Sequence, residues 1–307
     1  MEKIKIFAPA TVANLSCGFD VLGCCLESIG DEMLVRKHHL KEVRITRISG
    51  QDLPKEVLKN VAGVAVLALL KKLGSNQGFD IEIHKKIKPG SGIGSSAASS
   101  AGAVFAVNRL LGEPFKAEDL IPFAMEGERL ASGSAHADNV APALLGGFSL
   151  IRSYEPLEVL PLPTPSHLRM VVLHPHIEVN TRDSRAMVKQ RLSLQNAVQQ
   201  WGNLAAFISS LYTGDYELLG RSLQDKIVEP VRSILIPYFE DLRRVSMENG
   251  ALGFGISGSG PSVFAMCKGD GSAAKVQLAL QEFYQDKEIE FDLRTSGISL
   301  EGVKVIL

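Results

Sequence analysis

A glycine- and serine-rich loop that opens a helix of small residues is the feature that most constrains this chain. This first glycine loop reads P-G-S-G-I-G-S-S-A-A over residues 89–98, and its helix is predicted to reach Leu111. Glycines permit left-handed backbone and close approach to a ligand, and a helix N-terminus attracts anions. Lys85, Lys86 and Lys88 lie just upstream and add positive potential. The loop therefore predicts a phosphate site, with a plain glycine turn and a serine cap as the alternative.

Three other glycine-containing motifs, two that bind phosphate and one that presents a nucleophile, do not match this sequence. A Walker A loop requires Gly-Lys followed by Ser or Thr, and the sequence contains no such string. A dinucleotide-binding fingerprint can be written over residues 92–97. However, the preceding predicted strand ends too early, near His84, and no strand-end carboxylate follows about 20 residues later. The string G-I-S-G-S at residues 255–259 lacks the final glycine of a nucleophile elbow.

A second glycine-rich segment lies between two predicted strands. This second glycine loop reads G-F-G-I-S-G-S-G-P-S over residues 253–262. Its four glycines and three serines exceed what a hairpin turn requires. Turned segments of this kind can direct successive backbone N–H groups at an anion. A second anion-binding loop is therefore predicted, with a plain hairpin connection as the alternative.

Charge and hydropathy exclude several classes of protein. The 307 residues include 33 Lys and Arg against 34 Asp and Glu, so nucleic acid and anionic membranes exert no bulk attraction. The longest apolar run, residues 61–70, is too short to span a membrane, and the first ten residues carry no signal-peptide core. The cysteines at positions 17, 24, 25 and 267 match neither a zinc site nor a disulfide framework. We expect a globular cytoplasmic protein of about two domains.

Hydrophobic periodicity predicts strands and helices in both halves of the chain. In the first half, strands are predicted at residues 3–8, 32–36, 42–48 and 79–84, and Pro9 is expected to stop the first of them. Helices are predicted at residues 60–73 and 117–131, and a third helix is the one that follows the first glycine loop. The string P-L-P-T-P at residues 161–165 marks the predicted domain junction. Beyond it, strands are predicted at residues 168–173, 251–256, 262–267 and 289–293, and helices at 184–212, 215–224, 238–248 and 273–284. The order β-α-β-β-α-β suggests a ferredoxin-like layout.

Four strings together resemble the GHMP small-molecule kinases. They are the two glycine loops, A-P-A-T-V-A-N-L-S-C-G-F-D-V-L-G at residues 8–23 and H-A-D-N-V-A-P-A at residues 136–143. The resemblance covers nearly the whole chain, and Ile93, where the family more often has leucine, is a conservative departure. It implies an α+β fold, with a ribosomal protein S5 domain 2-like ATP-binding domain over residues 1–160 and a ferredoxin-like domain over residues 161–307.

The strings at residues 8–23 and 136–143 are similar to those of family members that phosphorylate homoserine. The resemblance implies transfer of the γ-phosphate of ATP to the hydroxyl of L-homoserine, with Mg²⁺, as a step of threonine biosynthesis, and it suggests a homodimer. Another family kinase acting on a carboxylate-bearing alcohol is the closest alternative. A non-catalytic binding protein on the same fold is a third hypothesis, and the presence of Ser96 and Glu128 argues against it.

The resemblance also implies the nucleotide and metal ligands. Mg²⁺ ligands are expected at Ser96 and Glu128, although a lone glutamate beside Arg129 could equally be a surface ion-pair partner. The expected ATP-binding residues are the first glycine loop, two adenine contacts and part of the second loop, namely Pro89, Gly90, Ser91, Gly92, Ile93, Gly94, Ser95, Ser96, Ala97, Ala98, Asn60, Val61, Gly258, Ser259 and Gly260.

A zwitterionic substrate needs an acceptor for its ammonium group and a cation for its carboxylate. By resemblance, the ammonium and hydroxyl end is expected at Asn14, Asp20 and Asp138, with His136 nearby, and the carboxylate at Thr181, Arg185 and Arg232. Without the resemblance, the aspartate at 20 could cap a turn and the two arginines could be solvated helix-end charges.

The expected catalytic group is Asp138, Asn139 and Thr11. Mevalonate-type relatives pair an aspartate base with a lysine, and Thr11 stands at the lysine position here. We therefore expect catalysis by alignment and charge stabilisation, with Asp138 engaged with the substrate ammonium and not acting as an obligatory base.

Overall fold

Two β-sheets organise the structure, a computed structural model that describes residues 2–177, 179, 184, 187–188 and 191–306. In chain order, the strands are β1 (Lys3–Ala13), β2 (Leu22–His38), β3 (Val43–Ser49), β4 (Gly78–His84), β5 (Phe148–Tyr154), β6 (Leu157–Leu162), β7 (Leu168–Pro175), β8 (Ala251–Ile256), β9 (Val263–Lys268), β10 (Phe291–Gly297) and β11 (Lys304–Val305). The helices are α1 (Val61–Leu73), α2 (Ser95–Leu110), α3 (Ile121–Ser132), α4 (Val140–Leu145), α5 (Leu194–Thr213), α6 (Tyr216–Ser222), α7 (Glu229–Arg232), α8 (Phe239–Glu248) and α9 (Gly269–Gln285).

The first sheet has seven strands in the order β11-β1-β2-β4-β3, and β5 pairs with both β2 and β6. The β3–β4 pair is parallel and the other pairs are antiparallel. Helices α1 and α2 pack against this sheet and α3 packs against these two helices, around a common hydrophobic core. The small residues of α2 permit this close packing, since Gly102 lies against Ile6 and Ala8 of β1. The start of α2, where the first glycine loop ends, is thereby held rigidly.

The second sheet has the order β10-β7-β9-β8, with every neighbouring pair antiparallel. Helix α8 precedes β8, and α9 connects β9 to β10; both helices pack against the sheet. Residues of the two helices and the sheet form a second hydrophobic cluster. The ferredoxin-like arrangement predicted for this half is confirmed.

Several predicted element boundaries are wrong. The strand predicted at residues 32–36 is the end of β2, which begins at Leu22, and the strand predicted at 289–293 is β10, which extends to Gly297. Strand β1 does not stop at Pro9 but continues to Ala13, because the pairing with β2 shifts register between Pro9 and Thr11 and tolerates a residue without an N–H. The helix predicted over residues 184–212 begins at Leu194, where the Ser193 hydroxyl accepts the N–H of Asn196 as an N-cap.

The change from one sheet to the other falls between β6 and β7, near the proline-rich string. One strand departs from the predicted division into residues 1–160 and 161–307. Strand β11, at the end of the chain, returns to the first sheet and pairs with Ile6 and Phe7 of β1. The division itself stays a prediction. Across the described residues, no helix has both the length and the hydropathy needed to cross a bilayer.

Candidate active site

A cavity of about 840 Å³ opens between the helices of the first sheet and the loops of the second. Its volume is sufficient for a nucleotide and a small substrate together. Many of the residues proposed from the sequence line it, namely Asn14, Asp20, Val61, Pro89, Gly90, Gly92, Gly94, Ser95, Ser96, Glu128, His136, Asp138, Asn139, Arg232, Gly258 and Ser259.

The two glycine loops interlock at one wall of this cavity. The Ser257 hydroxyl donates to the carbonyl of Gly92 at 2.8 Å, and the N–H of Ser262 donates to the carbonyl of Ser91 at 3.1 Å. Gly92 has a φ of +83°, and a Cβ there would lie 2.6 Å from the Ser257 carbonyl oxygen. Only glycine fits this left-handed position. Each loop therefore fixes the path of the other.

A buried ion pair anchors the base of the first glycine loop. The Lys85 ammonium contacts the carboxylate of Asp31 in β2, and both side chains are almost completely buried. The same ammonium donates to the carbonyl of Ser95 at 2.9 Å and to the hydroxyl of Ser99 at 3.1 Å, both in α2. The other Asp31 oxygen accepts the backbone N–H groups of residues 86 and 87. One pair thus joins β2, the start of the loop and the first turn of α2.

The three lysines upstream of the loop therefore differ in role. Lys85 is committed to the buried pair, whereas Lys86 points to the surface and pairs with Glu32. Lys88 lies at the rim of the cavity, 2.7 Å from the Nε2 atom of His176. Lys85 and Lys88 line the cavity, which is the position expected of residues that add positive potential for a phosphate. Lys86 does not line it, so the predicted position is wrong for Lys86.

Glu128 of α3 is buried beside the first glycine loop. Its carboxylate shares a hydrogen bond with Ser96, while its Oε1 atom has no hydrogen-bond partner among the described residues. Burial raises the pKa of Glu128 to about 7, although the Ser96 bond and the Lys85 charge lower it. The alternative reading of Glu128 as a surface partner of Arg129 is wrong. Two hard oxygen donors, one with unused capacity, fit the chemistry of a divalent cation.

The turn between β1 and β2 has a left-handed backbone. Asn14, Leu15 and Ser16 have φ values of 70°, 45° and 56°, and Asp20 has a φ of 62°. Such values are uncommon in residues other than glycine and need support from neighbours. Asn14 supplies it, because its Oδ1 accepts the N–H of Asp20 at 3.0 Å and its Nδ2 donates to the carbonyl of Gly258 at 2.8 Å. The turn therefore presents Asn14 and Asp20 side by side to the cavity.

Asp20 also faces a histidine. Its Oδ1 lies 3.7 Å from the Nδ1 of His136, and its backbone carbonyl accepts the Tyr154 hydroxyl at 2.9 Å. Both His136 and Asp20 are only partly exposed and line the cavity. The carboxylate thus lies at the cavity wall, next to an imidazole ring.

Arg232 ends the one-turn helix α7 and is 4% exposed. Its guanidinium donates to the carbonyls of Gly258 at 3.2 Å and Ser184 at 3.3 Å, and stands over the ring of Phe19 with 5.2 Å to the centroid. The alternative reading of this arginine as a solvated helix-end charge is wrong. A buried guanidinium in a cavity wall is suited to a carboxylate or a phosphate.

The predicted catalytic group comes together from distant parts of the chain. The Thr11 hydroxyl donates to the Oδ1 of Asn139 at 2.7 Å. Gly94 packs against both side chains, and a Cβ there would lie 3.0 Å from the same Asn139 oxygen. Asp138, the preceding residue, is 4% exposed and lines the cavity. These residues therefore meet beside the first turn of α2.

Some residues proposed from the sequence do not face the cavity. The carboxamide of Asn60 caps α1, accepting the N–H of Ala62 at 3.0 Å, and donates to the carbonyl of Pro54 at 2.8 Å. Both polar groups of this carboxamide are therefore bonded to backbone, whereas the neighbouring Val61 lines the cavity. Thr11, Ser91, Ile93, Ala97 and Ala98 are buried behind the wall. Gly260 packs against Ile236. The proposed substrate residues Thr181 and Arg185 lie outside the described residues.

Other lining residues had no assigned role in the sequence, namely Phe19, Leu53, Ser99, Ser132, His174, His176 and Ile177. Phe19 lies within the string G-F-D, which is a signal that could have identified it. His174 hydrogen-bonds Ser262 at 3.2 Å, and burial together with His176 lowers the pKa of His174 to about 4. The two histidines line the cavity at the end of β7. The described residues hold no cluster of three or more His, Cys, Asp or Glu suited to a metal.

Comparison with known families gives two matches. The model of the GHMP kinases N terminal domain matches residues 57–147, and that of the GHMP kinases C terminal domain matches residues 207–286. Curated relatives match over all or most of the chain. A homoserine kinase of Chloroherpeton thalassium is 44% identical over 319 residues, with all of both chains covered. A homoserine kinase of Pyrococcus abyssi is 39% identical over 264 residues, covering 86% of this chain and 87% of its own.

Solved structures show the same similarity. A homoserine kinase from Cytophaga hutchinsonii superposes with a TM-score of 0.96 at 50% identity, with 100% of this chain and 98% of that chain covered. A mevalonate kinase of L. major, solved with R-mevalonate, has a TM-score of 0.70 at 18% identity and covers 96% of each chain. The second similarity is one of fold alone.

Proposed function

The chain belongs to the GHMP kinases, among their homoserine kinases, and we propose that it transfers the γ-phosphoryl group of ATP to the hydroxyl of L-homoserine to give O-phospho-L-homoserine. The observation that carries the proposal is that one cavity is lined by a glycine loop at a helix start, by Asp20 and by the buried Arg232. The loop suits a nucleotide phosphate, and the carboxylate and guanidinium suit the two charged groups of an amino acid. The product is an intermediate of threonine biosynthesis.

ATP is proposed to bind along the first glycine loop. Gly90, Gly92 and Gly94 have left-handed φ values and line the cavity, so that backbone N–H groups at the start of α2 can approach the phosphates closely. Val61 and Leu53 line the same cavity and are suited to the adenine ring. Gly258 and Ser259 of the second loop complete the phosphate side.

Mg²⁺ is proposed to bind between Ser96 and Glu128. The buried Oε1 of Glu128 and the adjacent serine hydroxyl provide the hard oxygen donors that the ion requires. When bound, the ion neutralises charge on the phosphates during transfer.

The substrate is proposed to bind beside the second glycine loop, where the turn between β1 and β2 and the end of α7 line the cavity. Arg232 binds its carboxylate, and Asp20 and Asp138 bind its ammonium group, with Asn14 and His136 orienting the hydroxyl end. Thr181 and Arg185 are proposed as further carboxylate ligands by family resemblance. During transfer, the bond between the γ-phosphorus and the β–γ bridging oxygen breaks as a bond to the substrate hydroxyl oxygen forms. Thr11 and Asn139 hold the neighbouring backbone in place. The hydroxyl proton passes to an oxygen of the transferred phosphoryl group and ADP leaves, so no side chain is required as a base.

The proposed function is tested by ADP release in the presence of ATP and a panel of alcohols. We expect turnover with L-homoserine and little with 4-hydroxybutyrate, which lacks the ammonium group, because two carboxylates in the cavity would then lose their ligand. Mevalonate serves as the comparison for other carboxylate-bearing alcohols. Faster turnover with 4-hydroxybutyrate or mevalonate than with L-homoserine would contradict the proposal in favour of another GHMP kinase.

Arg232→Ala is expected to lower kcat/KM for L-homoserine by about 10- to 100-fold, because a charge-assisted hydrogen bond is worth about 1.5–3 kcal/mol. The loss should nearly vanish when homoserine methyl ester is the substrate, since the ester has no charged carboxylate. The KM for ATP should stay near that of the wild type. Arg232→Lys should recover part of the loss, because a point charge cannot reproduce the planar guanidinium.

Arg244→Ala is the matched control for this experiment. Arg244 lies in α8, is exposed, and pairs only with nearby Asp241 and Glu248 among the described residues. It should leave both substrates unaffected. If Arg232→Ala weakens the ester as much as the free acid, then Arg232 does not bind the substrate carboxylate.

The remaining proposals concern location and assembly. All four cysteines are free and buried, which supports a reducing, cytoplasmic setting. A homodimer is proposed from family resemblance, and size-exclusion chromatography with light scattering measures it directly.

A further inference from the structure

The two segments proposed to hold homoserine are tied together behind the cavity by one buried carboxamide. Gln200 of α5 is 9% exposed. Its Nε2 donates to the carbonyl of Cys17 at 3.0 Å, and its Oε1 accepts the backbone N–H of Lys226 at 2.9 Å. Both hydrogen-bonding groups of the side chain are therefore used, one on each segment. The side chain forms a bridge between parts of the chain about 200 residues apart in sequence.

The first segment held by Gln200 is the left-handed turn. Cys17 lies three residues after Asn14 and three before Asp20, both of which line the cavity. Within the turn, the N–H of Gly18 donates to the carbonyl of Asn14 at 2.8 Å, so the turn moves as one unit. The bond from Gln200 consequently restrains the position of both cavity-lining side chains.

The second segment held by Gln200 leads into α7. Asp225, beside Lys226, accepts the N–H groups of residues 227, 228 and 229 with its carboxylate and so organises the start of the helix. Arg232 ends this helix, and its N–H donates to the carbonyl of Val228 at 3.0 Å. A shift at Lys226 is therefore passed to the guanidinium in the cavity.

The bridge has a counterpart on the cavity side. The guanidinium of Arg232 stands over the ring of Phe19, which belongs to the same turn as Cys17. The two segments thus contact each other in front through this pair and are joined behind through Gln200. The distance between the proposed carboxylate site at Arg232 and the proposed hydroxyl site at Asn14 is set by these two connections together with the Gly258 carbonyl, which accepts both side chains.

We infer that Gln200 is a positioning residue that fixes the spacing between the two ends of the substrate site and thereby selects the chain length of the amino-acid alcohol. Gln200 does not line the cavity, and it acts through Cys17 and Lys226. The inference rests on the proposed function, because it concerns the site assigned to homoserine. ATP is proposed to bind along the first glycine loop, with which Gln200 makes no hydrogen bond, since its two partners are Cys17 and Lys226.

The test compares wild type with Gln200→Met, which keeps the volume of the side chain and removes both hydrogen bonds. Steady-state kinetics are measured with ATP and with three acceptors: L-serine, L-homoserine and L-2-amino-5-hydroxypentanoate, whose chains differ by one methylene each. We expect the KM for L-homoserine to rise about tenfold, since two buried hydrogen bonds are lost. The preference for L-homoserine over the shorter and longer alcohols should fall, while the KM for ATP stays near wild type.

Asn203→Ala is the matched control. Asn203 lies on the same helix, and its Nδ2 donates to the carbonyl of Gln224 at 3.1 Å, so it ties α5 to the second segment alone. It should leave the chain-length preference unchanged. If Gln200→Met does not fold, Gln200→Asn replaces it, because the shorter carboxamide can reach only one of the two partners.

The outcomes separate the inference from the function on which it rests. Absence of turnover with L-homoserine in the wild type would refute the proposed function. With an active wild type, an unchanged chain-length preference in the Gln200 variant would overturn the positioning role. An equal rise in the KM values for ATP and L-homoserine would also overturn it, because it would indicate a general structural role.

Discussion

Glu128→Gln is expected to lower kcat by about 100- to 1,000-fold, because a bound metal ion contributes several kcal/mol of charge stabilisation in phosphoryl transfer. The substitution keeps the shape of the side chain and removes the charge beside Ser96. The fold should stay intact, since burial already disfavours the ionised form of Glu128 and raises its pKa to about 7. The measurement is kcat across a titration of Mg²⁺, together with the midpoint of thermal unfolding.

The matched control for this prediction is Glu126→Gln on the same helix. Glu126 is partly exposed and pairs with the exposed Arg129, so its loss should change neither kcat nor the Mg²⁺ requirement. Near-normal turnover of Glu128→Gln at low Mg²⁺ would show that Glu128 does not bind the ion.

Lys85→Met is expected to destabilise the protein by about 3–5 kcal/mol, because it leaves the buried Asp31 carboxylate without its partner. The change also removes the bonds from the ammonium to Ser95 and Ser99 in α2. The free energy of unfolding, measured by urea denaturation, reports the loss. Adding Asp31→Asn to Lys85→Met should restore part of it, since an asparagine oxygen can still accept the N–H groups of residues 86 and 87.

Lys86→Met is the control, one residue along the chain. Lys86 is exposed and pairs with Glu32 at the surface, so its replacement should have little effect on the free energy of unfolding. Equal destabilisation by both substitutions would mean that the buried pair has no special importance for stability.

The parts of the fold that the sequence predicted correctly are those encoded locally. The helix that the first glycine loop opens forms as predicted, because the left-handed Gly94 precedes Ser95 and α2 ends at Leu110, one residue before the predicted end. Helix α1 ends at Leu73 with Gly74 as its left-handed cap. In the second half, the succession of strands and helices along the chain follows from periodicity, and the pairing of β8 with β9 follows from their short connection.

The parts that could not be predicted depend on partners far away in sequence. Lys85 is a buried anchor because Asp31 approaches it from β2, and its own neighbours in the sequence resemble those of a surface lysine. The extension of β1 past Pro9 depends on where β2 changes register. Gln200 lies in a helix without charged residues, and only the tertiary structure shows that its two partners are Cys17 and Lys226. In each case the deciding contact is long-range.

The interlocked glycine loops have a consequence for recombination between relatives. The first loop comes from the N-terminal half of the chain and the second from the C-terminal half. Gly92 and Ser257 nevertheless pack in direct contact, with no space for a further side chain between them. A side chain added to either loop displaces the other, so changes in the two loops must arise as compatible pairs during divergence. A chimera that joins the halves of two homologues between β6 and β7 will therefore be active only when both parents carry matching loops.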